Sequence, residues 1–130
     1  QVAQSLQDSL AGLQQAMALM RADVAAGRAP VQGDRLFHLR IAEAADNGPL
    51  LRTVTALYDE RNTPLFEQLG QHYETLPTWR EALDEHQAVL DAITRRDPAA
   101  ARAAMHAHLQ QSHDRLAGLL PAAGGLAHAA

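Results

Sequence analysis

A chain of 130 residues can bury one hydrophobic core but not two. Its formal charge of −4, with eleven arginines scattered among fifteen acids, leaves no basic face to neutralise nucleic-acid phosphates. Zero cysteines remove disulfides and thiolate metal sites and fit a reducing, cytoplasmic setting, and no apolar run approaches the roughly 20 residues that span a bilayer.

Ala, Leu, Gln, Glu and Arg dominate, and no stretch alternates with the two-residue period of a strand, so the chain reads as all-α. Leu6, Leu10, Leu13, Met17, Met20 and Val24 step alternately by four and three, the apolar stripe of a bundled helix that Gly27 and Pro30 end. A second helix is expected from about Asp34 to Ala45, stopped by Asn47-Gly48. Pro49 opens a third that runs to about Arg61 with Leu50, Val54 and Leu57 on its apolar side. Pro64 starts a shorter fourth that fades near Tyr73, and Thr75-Leu-Pro-Thr resets the chain for a fifth from about Pro77 to Arg96. Asp97-Pro98, a cap and a first-turn proline, opens a sixth that reaches about Leu120. Short connections favour antiparallel neighbours. The expectation is an antiparallel bundle of about six helices over 1–120, with 121–130 as a flexible tail.

Three of these helices carry a histidine where a leucine belongs. On the fifth, Trp79, Leu83, Leu90 and Ile93 lie within about 60° of His86 around the helix axis. On the sixth, Met105, Leu116 and Leu119 lie within about 80° of His108. On the second, Ile41, Ala42 and Ala45 bracket His38, and Asp34 sits one turn earlier on the same face. An unpaired buried polar group costs roughly 1–3 kcal/mol, so four of them would consume much of a domain's stability of about 5–15 kcal/mol. One divalent cation (Zn, Ni, Mn or Fe) compensates all four, because neutral imidazole and carboxylate are ligands that such ions accept. Taken singly, each histidine is more ordinarily a hydrogen-bonded core residue. His106 and His113 lie about 160° and 140° away from His108 and should be solvated. His72, near the end of a short helix, and His128, in the tail, are given no role.

In chain order these residues spell longer blocks. Asp34-Arg-Leu-Phe-His38-Leu-Arg-Ile-Ala-Glu-Ala-Ala-Asp-Asn47 resembles the D-x-x-F-H-x-x-I-A-x-A-x-x-N signature of the FCD domain, the effector-binding half of FadR-type regulators in the GntR superfamily. Glu85-His86-Gln-Ala-Val-Leu-Asp-Ala-Ile, then Arg96-Asp97-Pro-Ala-Ala-Ala-Arg-Ala-Ala-Met105-His-Ala-His108-Leu, is similar to the remaining two blocks. The resemblance covers about positions 6 to 118. It implies a dimerising bundle of six or seven helices in which Asp34, His38, His86 and His108 hold a metal, with a small organic acid at the open coordination positions. It also implies a DNA-binding winged helix-turn-helix ahead of the domain, which these 130 residues lack. The family's first effector-domain helix, which supplies an arginine to the pocket, is expected to be missing or truncated. The stretch Leu57-Tyr-Asp-Glu-Arg-Asn-Thr-Pro-Leu-Phe66 is faintly similar to members that answer to sugar acids.

The resulting expectation is the effector-sensing domain of a transcriptional regulator: a homodimer, not an enzyme, touching DNA only through the absent domain and no membrane. The competing class is a metal-dependent hydrolase, since an open His₃Asp site can activate water. It would need a general base beyond the ligands, and the helix positions facing the same interior read as Leu, Ile, Ala and Met, with no spare Glu or Asp at a stripe centre. A di-iron bundle needs more ligands than these stripes offer. A third class is a plain dimerisation bundle whose histidines are satisfied by water and by one another.

Overall fold

The computed structural model describes the backbone of residues 2–118 and the side chains of 5–61, 63–68 and 74–118. Six α-helices follow one another: α1 (Val2–Ala25), α2 (Val31–Ala44), α3 (Gly48–Asp59), α4 (Pro64–Tyr73), α5 (Leu76–Thr94) and α6 (Pro98–Gly118), with a 3₁₀ turn at Glu60–Asn62 before α4. The chain is an all-α bundle, and no strand occurs among the described residues. The expected tail, the last turn at Leu119 and Leu120, His128 and the side chains of His72 and Tyr73 lie outside what is described.

The helix boundaries follow local chemistry. Gly27 takes a φ of 75° just after α1, a left-handed turn that costs glycine nothing. After α2 and α5 the same turn is made by Asp46 (φ 52°) and Arg96 (φ 57°). The stop of α2 is therefore Asp46 rather than the expected Asn47-Gly48. Asn47 instead caps α3, its side chain accepting from the Leu50 amide at 3.0 Å. Thr75 and Thr78 form a reciprocal capping box at the start of α5, and Asp97 accepts from the Ala100 amide at 3.0 Å to start α6.

α1 lies antiparallel against α2. Gly33 of α2 meets Ala16 and Met20 of α1, and farther along α2 Arg40 crosses Gly12. A methyl group on Gly33 would stand 2.5 Å from Met20 Cγ and 2.9 Å from the Ala16 carbonyl, so the crossing depends on the missing side chain. α1 also packs on α5, α5 on α6 and α2 on α3. The core joins Leu13, Ala16, Met17, Met20 and Val24 of α1 to Phe37 of α2 and to Leu83, Val89 and Leu90 of α5.

Several apolar stripes are less buried than their periodicity implies. Leu6 is 41% exposed, and Trp79 and Ile93 are half-buried, while Val89 and Ala92 take the fully buried places on α5. No described residue of α3 is buried, and Leu57 is 63% exposed. On α6 the buried residue is His108 itself, with Met105 half-buried and Leu116 55% exposed. The physical reason is coverage: α6 packs chiefly on α5, and its remaining surface faces a cavity and solvent. No helix among the described residues is long and apolar enough to cross a membrane.

Candidate functional site

Asp34 and His38 on α2, His86 on α5 and His108 on α6 meet at one interior point. Each contributes one ligand-type atom, and the four atoms lie within 4.8 Å of one another. The three imidazoles are 7%, 2% and 4% exposed, as buried as the leucines around them. His106 and His113 are exposed, as their positions on the helix imply.

The ring directions are set from outside the cluster. His86 Nδ1 lies 2.6 Å from the Ala82 carbonyl, which can only accept, so Nδ1 carries the proton. His108 Nδ1 lies 2.7 Å from Glu85 Oε1. Burial tends to raise the Glu85 carboxyl, but hydrogen bonds from Arg115 and His108 outweigh it and hold the group below its usual range. Ionised, Glu85 too can only accept. Both rings therefore turn Nε2 inward. His86 Nε2 faces Asp34 Oδ1 at 2.8 Å, and His108 Nε2 faces His38 Nε2 at 3.3 Å. A lone pair 2.8 Å from a carboxylate oxygen is repulsive unless a proton or a metal ion lies between them.

Electrostatics and packing fix the rest. Burial works against the Asp34 charge, yet the neighbouring His38, His86 and Arg61 hold its carboxyl well below the ordinary range. Burial, the dominant effect, and the neighbouring His86 and His38 push the His108 imidazole down, against the pull of Glu85, which favours its neutral, lone-pair form. Tyr58 stacks on His38 with ring centroids 4.9 Å apart, and Phe37 meets His86 edge-on at 4.8 Å. Burial pushes the Tyr58 phenol up, aided by the Asp34 charge.

The donor set and spacing suit a divalent ion. Ligands about 2.1 Å from a metal stand roughly 3.0–3.4 Å apart along the edges of an octahedron or tetrahedron. The observed contacts of 2.8, 3.3 and 3.4 Å fall at that scale. The outward Nδ1 bonds are the outer contacts that orient metal-bound histidines. A cavity of about 460 Å³ opens beside the cluster, reached by Asp34, His86 and His108, while His38 lies behind them. Arg61, Arg115, Tyr58, Phe66, Trp79 and Leu116 contribute to its walls.

The family model described as the FCD domain matches residues 2–111. The chain belongs to the FCD domain family. It is similar to three regulators of Escherichia coli strain K12. It is 39% identical over 82 residues to the putative L-lactate dehydrogenase operon regulatory protein, covering 63% of this chain and 32% of that protein. It is 31% identical over 116 residues to the Uxu operon transcriptional regulator, covering 87% and 45%, and 33% identical over 82 residues to the Exu regulon transcriptional regulator, covering 61% and 31%. The chain thus spans from about a third to under a half of the length of these relatives. They are transcriptional regulators and not enzymes, which leaves the hydrolase alternative without support from the comparisons.

The site of this FCD domain is more polar than its apolar stripes imply, because charged side chains reach it from beside the stripe centres. Glu85, with 11% of its side chain exposed, bonds His108 and is gripped by Arg115 through contacts of 2.5 and 3.0 Å. Arg61 bonds Asp34 Oδ2, and Glu74 accepts from Trp79 Nε1 at 3.3 Å. Arg115 could have been found in the sequence, since it follows His108 by two helical turns on the same face. Glu85 stands about 100° around the helix from His86, and Arg61 sits on a 3₁₀ turn, so no periodicity points to either.

Proposed function

We propose that this chain is the effector-sensing domain of a transcriptional regulator, that Asp34, His38, His86 and His108 bind one divalent metal ion, and that the ion's remaining positions take a small hydroxycarboxylate. One observation carries the metal reading: Ala82 and Glu85 hold the Nδ1 protons of His86 and His108 outward, so the Nε2 lone pairs turn inward, that of His86 onto the Asp34 carboxylate and that of His108 onto His38 Nε2. The bound ion would supply Lewis acidity and an anchor for the acid's carboxylate and hydroxyl. The protein supplies the shape, with Trp79 and Leu116 as apolar wall and Arg61 and Arg115 as positive charge.

The effector class rests on the same chemistry. The name of one relative refers to L-lactate, a small α-hydroxy acid, and residues 57–66 resemble members that answer to sugar acids. Both classes offer adjacent carboxylate and hydroxyl oxygens to one metal. Effector binding would favour one of two helix arrangements, by its difference in affinity for them, and a DNA-binding domain elsewhere in the full protein would read the shift. The exposed Leu50, Leu57 and Leu65 of α3 and α4 support a second copy of the chain as partner. Light scattering of the purified domain should return twice the 14.0 kDa chain mass, and a strict monomer would remove the dimer from this reading.

The deciding experiment combines elemental analysis after mild purification with a thermal-shift screen of small hydroxy acids and sugar acids, with and without chelator. One metal per chain and an acid whose stabilisation disappears on chelation are expected. Protein that gains no stability from any of Zn²⁺, Ni²⁺, Mn²⁺ or Fe²⁺ would reduce the domain to a helical dimerisation module.

A further inference from the structure

Arg61 is the cavity residue whose bonding is least complete. It sits on the 3₁₀ turn between α3 and α4, with 28% of its side chain exposed. One nitrogen, Nη1, bonds Asp34 Oδ2. A second, Nη2, faces Glu74 Oε1 at 3.7 Å, an ion-pair distance too long for a hydrogen bond. The third, Nε, is buried with no acceptor among the described residues. The rings of Tyr58 and Phe66, centred 5.5 and 5.4 Å from the guanidinium carbon, hold the group in place.

The Nε–Nη2 edge of a guanidinium presents two parallel N–H groups, the fork that matches the two oxygens of a carboxylate. In Arg61 this edge makes no hydrogen bond among the described residues, and a buried donor such as Nε is rarely left so in native proteins. The same arginine touches Asp34, whose other oxygen faces His86 and His38. It therefore stands one carboxylate's width from the point where the imidazole nitrogens converge. We infer that Arg61 recognises the effector's carboxylate through its Nε–Nη2 edge, beside the metal. The inference rests on the metal-and-effector reading above and adds the residue that selects an acid over a neutral polyol.

Glu74 makes the inference sharper. Its Oε1 lies 3.7 Å from Nη2, so an incoming carboxylate competes with it. It follows α4 directly, as Arg61 precedes it, so their ion pair ties together the two ends of the α4 excursion. Glu74 also accepts from Trp79, the chain's only tryptophan and a cavity wall. An acid that displaces Glu74 should therefore change Trp79 emission.

The test loads the domain with Zn²⁺, measures metal content, and titrates L-lactate, D-gluconate and citrate while following Trp79 fluorescence and binding heat. Arg61→Gln should retain one metal per chain and weaken the best acid at least tenfold. Arg61→Lys should recover part of that loss, and Glu74→Gln should tighten the acid about threefold. Arg61→Gln that holds metal and binds acid within twofold of wild type overturns the inference and leaves the metal site standing. Arg61→Gln that cannot hold metal also overturns it, because the residue then only positions Asp34. Should Arg61→Gln fail to fold by circular dichroism, Glu74→Gln decides, and unchanged or weaker acid binding counts against the inference. Wild-type protein that takes no metal, or binds none of the three acids, overturns the metal-and-effector reading and this inference together.

Discussion

Two parts of the interior are equally buried and held together in opposite ways. Between α1 and α2, Leu13, Ala16, Met17, Met20 and Phe37 are at most 3% exposed and interlock by shape, with Gly33 permitting the close approach. A few ångströms away, His38, His86 and His108 are at most 7% exposed and are held by direction, with the Nδ1 atoms of His86 and His108 aimed outward at Ala82 and Glu85 and all three Nε2 atoms aimed inward. Apolar contacts work under any solution condition that keeps the fold. On the proposed reading, the polar cluster works only when a cation matches its inward lone pairs. The first region should therefore set a stability floor, and the second should set a stability that ligands can change.

The largest expected effect separates the two directly. Metal at about a thousandfold over its dissociation constant adds about 4 kcal/mol, on the order of 10–20 °C in melting temperature for a domain of this size. His86→Ala should abolish that increment. Because imidazole binds metal only when neutral, the increment should shrink in acid, and the lowered His108 imidazole moves its own share of that loss to more acid pH. Melting curves of wild type and variant from neutral to acid pH, with and without chelator, check both statements. An increment that survives in His86→Ala would detach it from this cluster.

Gly33→Ala probes the other region. Forcing a methyl against Met20 and the Ala16 carbonyl should destabilise by about 1–3 kcal/mol, with or without metal. Denaturant titration of metal-free and metal-loaded protein should return the same loss, and unequal losses would mean that the two regions are coupled. Glu85→Ala removes the acceptor that orients His108, and metal affinity should drop 10–100-fold by calorimetry. An unchanged affinity would show that packing alone aims the ring. Asn47→Ala should cost about 1 kcal/mol through the lost α3 cap and leave metal affinity alone. The smallest effect is expected at His106 and His113, whose alanine variants should fall within about 0.5 kcal/mol of wild type and bind metal normally.

How much of this was legible beforehand differs between the same two regions. The α1 stripe from Leu13 to Val24 was readable because the 3.6-residue period ties spacing to face. The convergence of Asp34, His38, His86 and His108 was readable because polar residues broke such stripes at their centres. Gly33 was not: a glycine inside a helix carries no mark of what will cross it. The outer stretch of α6 misled for the opposite reason, since Leu116 keeps the right period but faces the cavity mouth.

By itself, then, the amino-acid order determined the helices, their ends and which side chains share a face, because capping, proline placement and periodicity act over a few residues. It also determined the family, through three motif blocks in the right order. Only the tertiary structure decided that Glu85 of α5 aims the His108 imidazole of α6, that Arg61 reaches Asp34 from 27 positions away, and that Glu74 and Trp79 close on the same cavity as both. Those relations depend on how helices cross, and crossings are set by contacts between residues far apart in the chain.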